Sequence, residues 1–283
     1  MKGWRPVLSF VFAIACATYL LSKAERRPVT FGESTSDAGQ VNNPAVSALQ
    51  IVAPGIVSTL ESETSPSISR DGKTIVFARY GEDWSQKRGY IGSRQPTGWK
   101  VQQLSTLGPI YNLSVSSDGQ SIITASSNNG ELNRFDRLNG KWIKTESISA
   151  ISGVTGSYPQ LLDNGDVLLY DPDGNVGGGI YRLPCTRTGY ASPVHLFVTK
   201  RGVAFDGFLD DTGCLYFTWC KTDACIVEKG DGVHCICGND TEPELLSELG
   251  YRWGVQPFDE GTKLLLTDGD DILSVTTERL ETH

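Results

Sequence analysis

Five glycines, each closing an acidic or asparagine-containing turn between two apolar stretches, recur almost evenly along the chain. They are Gly72 in SISRDGKTIVFA, Gly119 in LSVSSDGQSIITA, Gly165 in PQLLDNGDVLLYD, Gly213 in GFLDDTGCLYFT and Gly261 in VQPFDEGTKLLLT. The intervals are 47, 46, 48 and 48 residues. Asp-Gly or Asn-Gly between apolar runs marks a tight hairpin, because glycine tolerates positive φ and Asp or Asn tolerates left-handed geometry. Five in register identify a structural repeat. Asp71, a candidate metal ligand or acid in isolation, is on this basis a turn residue.

Each copy offers two further strands after its hairpin. In the first they lie around Tyr90–Ile91 and Trp99–Leu104, in the second at Leu132–Phe135 and Trp142–Ile148, in the third at Ile180–Leu183 and Val194–Val198. Four strands per unit of this length predict an all-β fold, a five-bladed β-propeller, with six blades as the alternative. The last copy has three strands. The segment from Gln50 to Leu60, which parallels the lead-in to the second copy, is expected to supply its fourth and close the ring. Helical periodicity is confined to TEPELLSELG, where Thr241 and Glu244 form a capping box ahead of Gly250, predicting one short helix on the fourth blade.

The repeats resemble those of TolB-like propellers, a WD-repeat-like family whose consensus runs through an aromatic, Ser-Pro-Asp-Gly-Lys and an apolar strand. SISRDGKTIVF and LSVSSDGQSII carry the resemblance best, and it spans about residues 48–283. It implies an exported propeller used for binding or scaffolding. The separate N-terminal domain of TolB itself has no counterpart here.

The N-terminus fits export. Lys2 and Arg5 precede an apolar run from Val7 to Leu21 and then Ser22-Lys23-Ala24, the pattern of a secretory signal peptide. The expected organisation is a signal peptide over 1–24, a polar linker over 25–47 and the propeller over 48–283. An uncleaved membrane anchor is the alternative, and Ala13-Ile14-Ala15-Cys16 resembles a lipobox. The destination is then periplasmic or extracellular. Without the leader the chain has 22 basic and 33 acidic residues, a net charge of −11. Such a surface excludes nucleic acid as a partner and gives no membrane contact beyond the leader.

Five-bladed glycoside hydrolases need carboxylates from different blades converging on the channel. The predicted inner strands (64–69, 110–116, 157–162, 204–209, 254–258) contain one, Asp206. The loops between second and third strands add Glu82, Asp83, Glu131, Asp171, Asp173, Asp223, Asp268, Asp270 and Asp271, an acidic rim suited to a protein or small ligand. Trp84 stands in one of these polar loops. Asp171, Asp173 and Asn175 alternate like the first ligands of a calcium loop, but Val176 and Arg182 replace its glycine and glutamate. The stretch reads as a glycine-rich hairpin loop and no cofactor is expected, with a loop-only calcium site as the alternative.

Six cysteines follow the leader: Cys185, Cys214, Cys220, Cys225, Cys235 and Cys237. In an exported domain an even number reads as disulfides, with Cys220 and Cys225 placed to bridge a hairpin. Zinc with His234 is the alternative, although C-x4-C-x9-C-x-C lacks paired knuckles. Phosphate loops and nucleophile elbows are absent from the sequence. The reading is an exported binding or scaffold propeller, with a carbohydrate-active enzyme centred on Asp206 as the rival.

Overall fold

The computed structural model describes residues 49–81, 86–171, 179–199, 202–221, 230–238, 240 and 242–276. They form five four-stranded antiparallel sheets in consecutive order, the blades of a β-propeller. Blade 1 consists of Ser62–Ile68, Thr74–Tyr80, Arg88–Gln95 and Gly98–Gln103. Blade 2 consists of Asn112–Val115, Ser121–Ala125, Leu132–Leu138 and Lys141–Ser147. Blade 3 has Ser157–Leu161, Val167–Asp171, Gly179–Leu183 and Val194–Val198, with a small hairpin, Cys185–Thr186 and Gly189–Tyr190, before its outer strand. Blade 4 has Val203–Leu209, Cys214–Cys220, Gly232–Cys237 and Glu244–Leu245. Blade 5 has Trp253–Phe258, Lys263–Thr267 and Ile272–Thr276.

The fourth strand of blade 5 comes from the other end of the described chain. Gln50 pairs with Ser274 and Ile51 with Leu273. Ser58 holds the following turn down, its Oγ donating to Ile272 O and accepting from Ile272 N. Arg79 then fixes the connection to blade 1. It donates to Ile56 O and Val57 O and, through Nε, to the fully buried Glu63 at 2.8 Å. Glu63 also accepts from Thr59 N and Oγ1. Three donors on one carboxylate are what a buried charge requires to be tolerated.

The period-2 alternation of the second strands explains the packing. Ile75 and Phe77 face blade 5, while Val76 and Ala78 face blade 2. Likewise Leu215 and Phe217 pack towards blade 3, and Leu264 and Leu266 towards blade 4. Five apolar clusters result, one in each gap between neighbouring blades. Side chains on both faces are therefore buried, which is why these strands read as continuous apolar runs.

The turn chemistry is as the repeat predicts. Asp71 Oδ1 accepts from Ser69 Oγ and Lys73 N, and Asp118 Oδ1 from Ser116 Oγ and Gln120 N. Gly72 and Gly119 both have positive φ. The helix expected over TEPELLSELG does not form. Glu244–Leu245 instead pairs with the third strand of blade 4, and only Ser247–Leu249 makes a 3-10 turn. Edge pairing there outweighs helix propensity. A five-residue helix, Ile148–Ser152, lies between blades 2 and 3 instead.

Candidate functional site

The inner strands are irregular in the same way in four of the five blades. Between Thr64 and Ser67 the pairing to the second strand slips by one residue, and it slips again at Ser157/Gln160, Phe205/Phe208 and Trp253/Gln256. The first unpaired residue of each bulge takes left-handed geometry: Ser65 (φ 51°), Tyr158 (φ 51°), Asp206 (φ 57°) and Gly254 (φ 65°). Non-glycine residues at such φ are strained, and strain of this kind collects at functional sites. Bulges re-aim side chains. Here they line the central channel.

Blade 2 has no bulge at the equivalent position, and Asn112 meets the neighbouring blades with its side chain. Its Nδ2 donates to Ser65 Oγ at 3.4 Å and its Oδ1 accepts from Tyr158 N at 2.9 Å. On the other side, the backbone N–H of Gly254 acts as a donor towards the Asp206 carboxylate. Ser65, Asn112, Tyr158, Asp206 and Gly254 thus form a ring, one residue per blade. Each stands seven residues before its turn glycine.

Asp206 is the outlier within the ring. Burial pushes its carboxyl up to about 7, against the opposing effects of the Gly254 N–H and the Lys87 ammonium. Its Oδ2 is sealed from solvent and has no hydrogen-bond partner among the described residues. Tyr158 lies beside it, its hydroxyl held well above the usual tyrosine range by burial and then by its neighbours Tyr111, Asp206 and Tyr170.

An aromatic group surrounds these residues. Ring centroids separate Tyr158 from Phe205 by 5.5 Å, from Tyr111 by 5.9 Å and from Tyr170 by 6.3 Å. Lys87 sits 4.5 Å over the Tyr111 ring and donates to Tyr111 O. The inner strands enter, and the second strands leave, at this end of the channel, since Asn112 pairs with Ala125 and Ser157 with Tyr170. The opposite end carries the turns. There Arg70 reaches across to Asp163 of blade 3 (2.9 Å) and Asp211 of blade 4 (3.5 Å), while its backbone bonds to blades 2 and 5 through Ser117 O and Asp259 N.

The expected site residues divide accordingly. Asp206 is at the centre. Glu131 is exposed on the mouth side, and Asp171 ends the second strand of blade 3 there. Asp268, Asp270 and Asp271 form one tight turn in which Asp268 Oδ1 accepts from the N–H groups of the other two. Asp270 also receives the Ser62 hydroxyl, so this acidic run has a structural employment. Glu82, Asp83, Trp84, Asp173, Asn175 and Asp223 lie outside the described residues, and the calcium loop with them. The leader and linker, residues 1–47, lie outside them as well. Tyr111, Tyr158, Tyr170, Phe205 and Lys87 were not anticipated, although counting back from each turn glycine locates Tyr158.

The cysteines depart from full pairing. Cys214 and Cys237, directly opposite across two strands, form a disulfide. Cys185 and Cys235 are free thiols, correcting the expectation for both. Cys185 is exposed on the blade 3 hairpin, away from the other cysteines, and Cys235 stands opposite Tyr216. Burial pushes the Cys235 thiol up to about 11. Cys220 is also disulfide-bonded, and the expected bridge to Cys225 ends outside the described residues. His234 is no partner for these sulfurs. It is buried against Phe217 and Trp219, with Nδ1 bonded to Gly232 O.

Among solved structures the chain is similar to a gluconolactonase, XC5397, from Xanthomonas campestris (12% identity, TM-score 0.47, 78% of this chain and 87% of that one). It is similar also to a chain of a nidogen/laminin complex (12%, 0.49, 74% and 73%) and to the β-propeller domain of the Trilobed protease from Pyrococcus furiosus (16%, 0.39, 72% and 64%). No family model and no curated protein matches the chain. The likeness concerns the fold alone.

Proposed function

We propose that this protein is a binding propeller whose ligand enters the channel mouth and places a hydrogen-bond donor against Asp206. The observation that carries the reading is the buried, unpartnered Oδ2 of Asp206 on a strained bulge. A buried polar atom without a partner costs about 1–3 kcal/mol, and a donor from a ligand recovers it. Tyr111, Tyr158, Tyr170 and Phe205 offer aromatic walls for the apolar part of such a ligand, and Lys87 an opposing charge. The apolar N-terminal run and the Cys214–Cys237 bridge support an exported setting, periplasmic or extracellular. A protein partner would reach the same mouth by inserting a side chain.

The rival reading is a carbohydrate-active enzyme, which a carboxyl titrating near neutrality favours, since that is where a general acid works. The second acid that glycoside hydrolysis requires is not among the groups acting on Asp206.

The test compares the wild-type chain with Asp206→Asn against two probe sets, simple saccharides and primary alkylamines, by thermal shift and calorimetry. A probe that stabilises the wild type and loses at least ten-fold in affinity on substitution supports the channel site. Probes that bind both proteins equally place the ligand elsewhere. Hydrolysis of a saccharide by the wild type alone moves the assignment to the enzyme.

A further inference from the structure

Blade 4 carries a second cluster of reactive groups, separate from the channel. The Sγ atoms of Cys214, Cys235 and Cys237 lie within 4.8 Å of one another, and those of Cys235 and Cys237 are 3.5 Å apart. All three residues are partly exposed, so small solutes reach them. The arrangement follows from the strand register: Cys235 and Cys237 share one face of their strand, and Cys214 stands opposite Cys237 on the next.

We infer that reduction of the Cys214–Cys237 bridge converts this corner of blade 4 into a zinc site, with Cys214, Cys235 and Cys237 as its sulfur ligands. Zinc–sulfur bonds of about 2.3 Å in a tetrahedral site set the sulfurs about 3.8 Å apart. The Cys235–Cys237 separation is already close to that, and the third sulfur needs only the bridge to open. Water completes the fourth position.

The chemistry balances in two steps. A dithiol reductant supplies two electrons, the sulfur–sulfur bond breaks, Cys214 and Cys237 become thiols and the reductant becomes a disulfide. Zinc then displaces three thiol protons, which pass to solvent. Binding is therefore gated by the redox state of one bridge, and it engages neither His234 nor Asp206.

The test uses the full chain, reduced with a phosphine, desalted under argon and labelled with iodoacetamide with or without one equivalent of Zn(II). Mass spectrometry then reads each cysteine. Zinc is expected to slow labelling of Cys214, Cys235 and Cys237 at least ten-fold and to leave Cys185 unchanged. Unchanged labelling of those three overturns the site. As a second measurement, Cys235→Ser is expected to lose at least ten-fold in zinc affinity against a chromophoric chelator, and the oxidised wild type to bind no zinc at this corner. Full affinity in either protein refutes the assignment.

Discussion

Gln256 of blade 5 grips the backbone of Ile68 in blade 1, its Oε1 accepting from Ile68 N at 3.0 Å and its Nε2 donating to Ile68 O at 2.6 Å. Gln160 does the same between blades 3 and 4, to the N–H and C=O of Leu209. Both glutamines stand two residues beyond the channel ring. The first of these clamps spans the joint where the two ends of the propeller meet, its partners 188 positions apart in the sequence.

Replacing Gln256 by alanine leaves two buried backbone groups unsatisfied and is expected to cost roughly 2–4 kcal/mol. Urea unfolding of Gln256→Ala and Gln160→Ala checks this. A loss below half a kcal/mol in both would show that water or neighbouring groups replace the amide.

Arg79→Ala strands the buried carboxylate of Glu63 and frees the Ile56–Val57 carbonyls. Breaking a buried pair from one side costs about 3–5 kcal/mol. The double variant Arg79→Leu/Glu63→Leu, which removes both charges, should recover most of that loss. Equal instability of the single and double variants would refute a charge-desolvation origin.

Asp206 imposes a pH dependence with a definite sign. Its carboxyl titrates near 7 in the folded chain and near 3.9 when unfolded. Between those values the folded state holds a proton the unfolded state has released, so the contribution to stability falls as pH rises from 4 through 7. Asp206→Asn should flatten the slope of melting temperature against pH over that window and be more stable than wild type at pH 8. Parallel curves for the two proteins would contradict the assignment.

The Cys214–Cys237 bridge closes a sequence separation of 23 residues. By loop entropy, Cys214→Ser should cost roughly 3 kcal/mol under non-reducing conditions. With both proteins fully reduced in metal-free buffer, the variant and the wild type should unfold at the same midpoint. Different midpoints for the two would show that strain or new contacts contribute.

The blades were legible because the turn residues and the alternating strands obey local rules. Gly72, Gly119, Gly165, Gly213 and Gly261 announce their hairpins whatever the rest of the chain does. The channel ring was not, since Ser65, Asn112, Tyr158, Asp206 and Gly254 share no chemistry. Only the constant offset from the turns relates them. Asp206 could be named as the single acid of the inner strands, but its unpartnered oxygen depends on what the other blades place around it. The same holds for Glu244–Leu245, where a local capping pattern yielded to pairing with a strand ten residues earlier.

The repeated bulge makes the ring modular. Four of its five positions hold backbone already turned into the left-handed region, so a new side chain at one blade need not re-register the others. The admissible alphabet is short, because asparagine, aspartate and glycine tolerate that geometry best. A lineage, or an engineer, could therefore respell this five-letter word blade by blade and change what the channel accepts while the propeller around it stays the same.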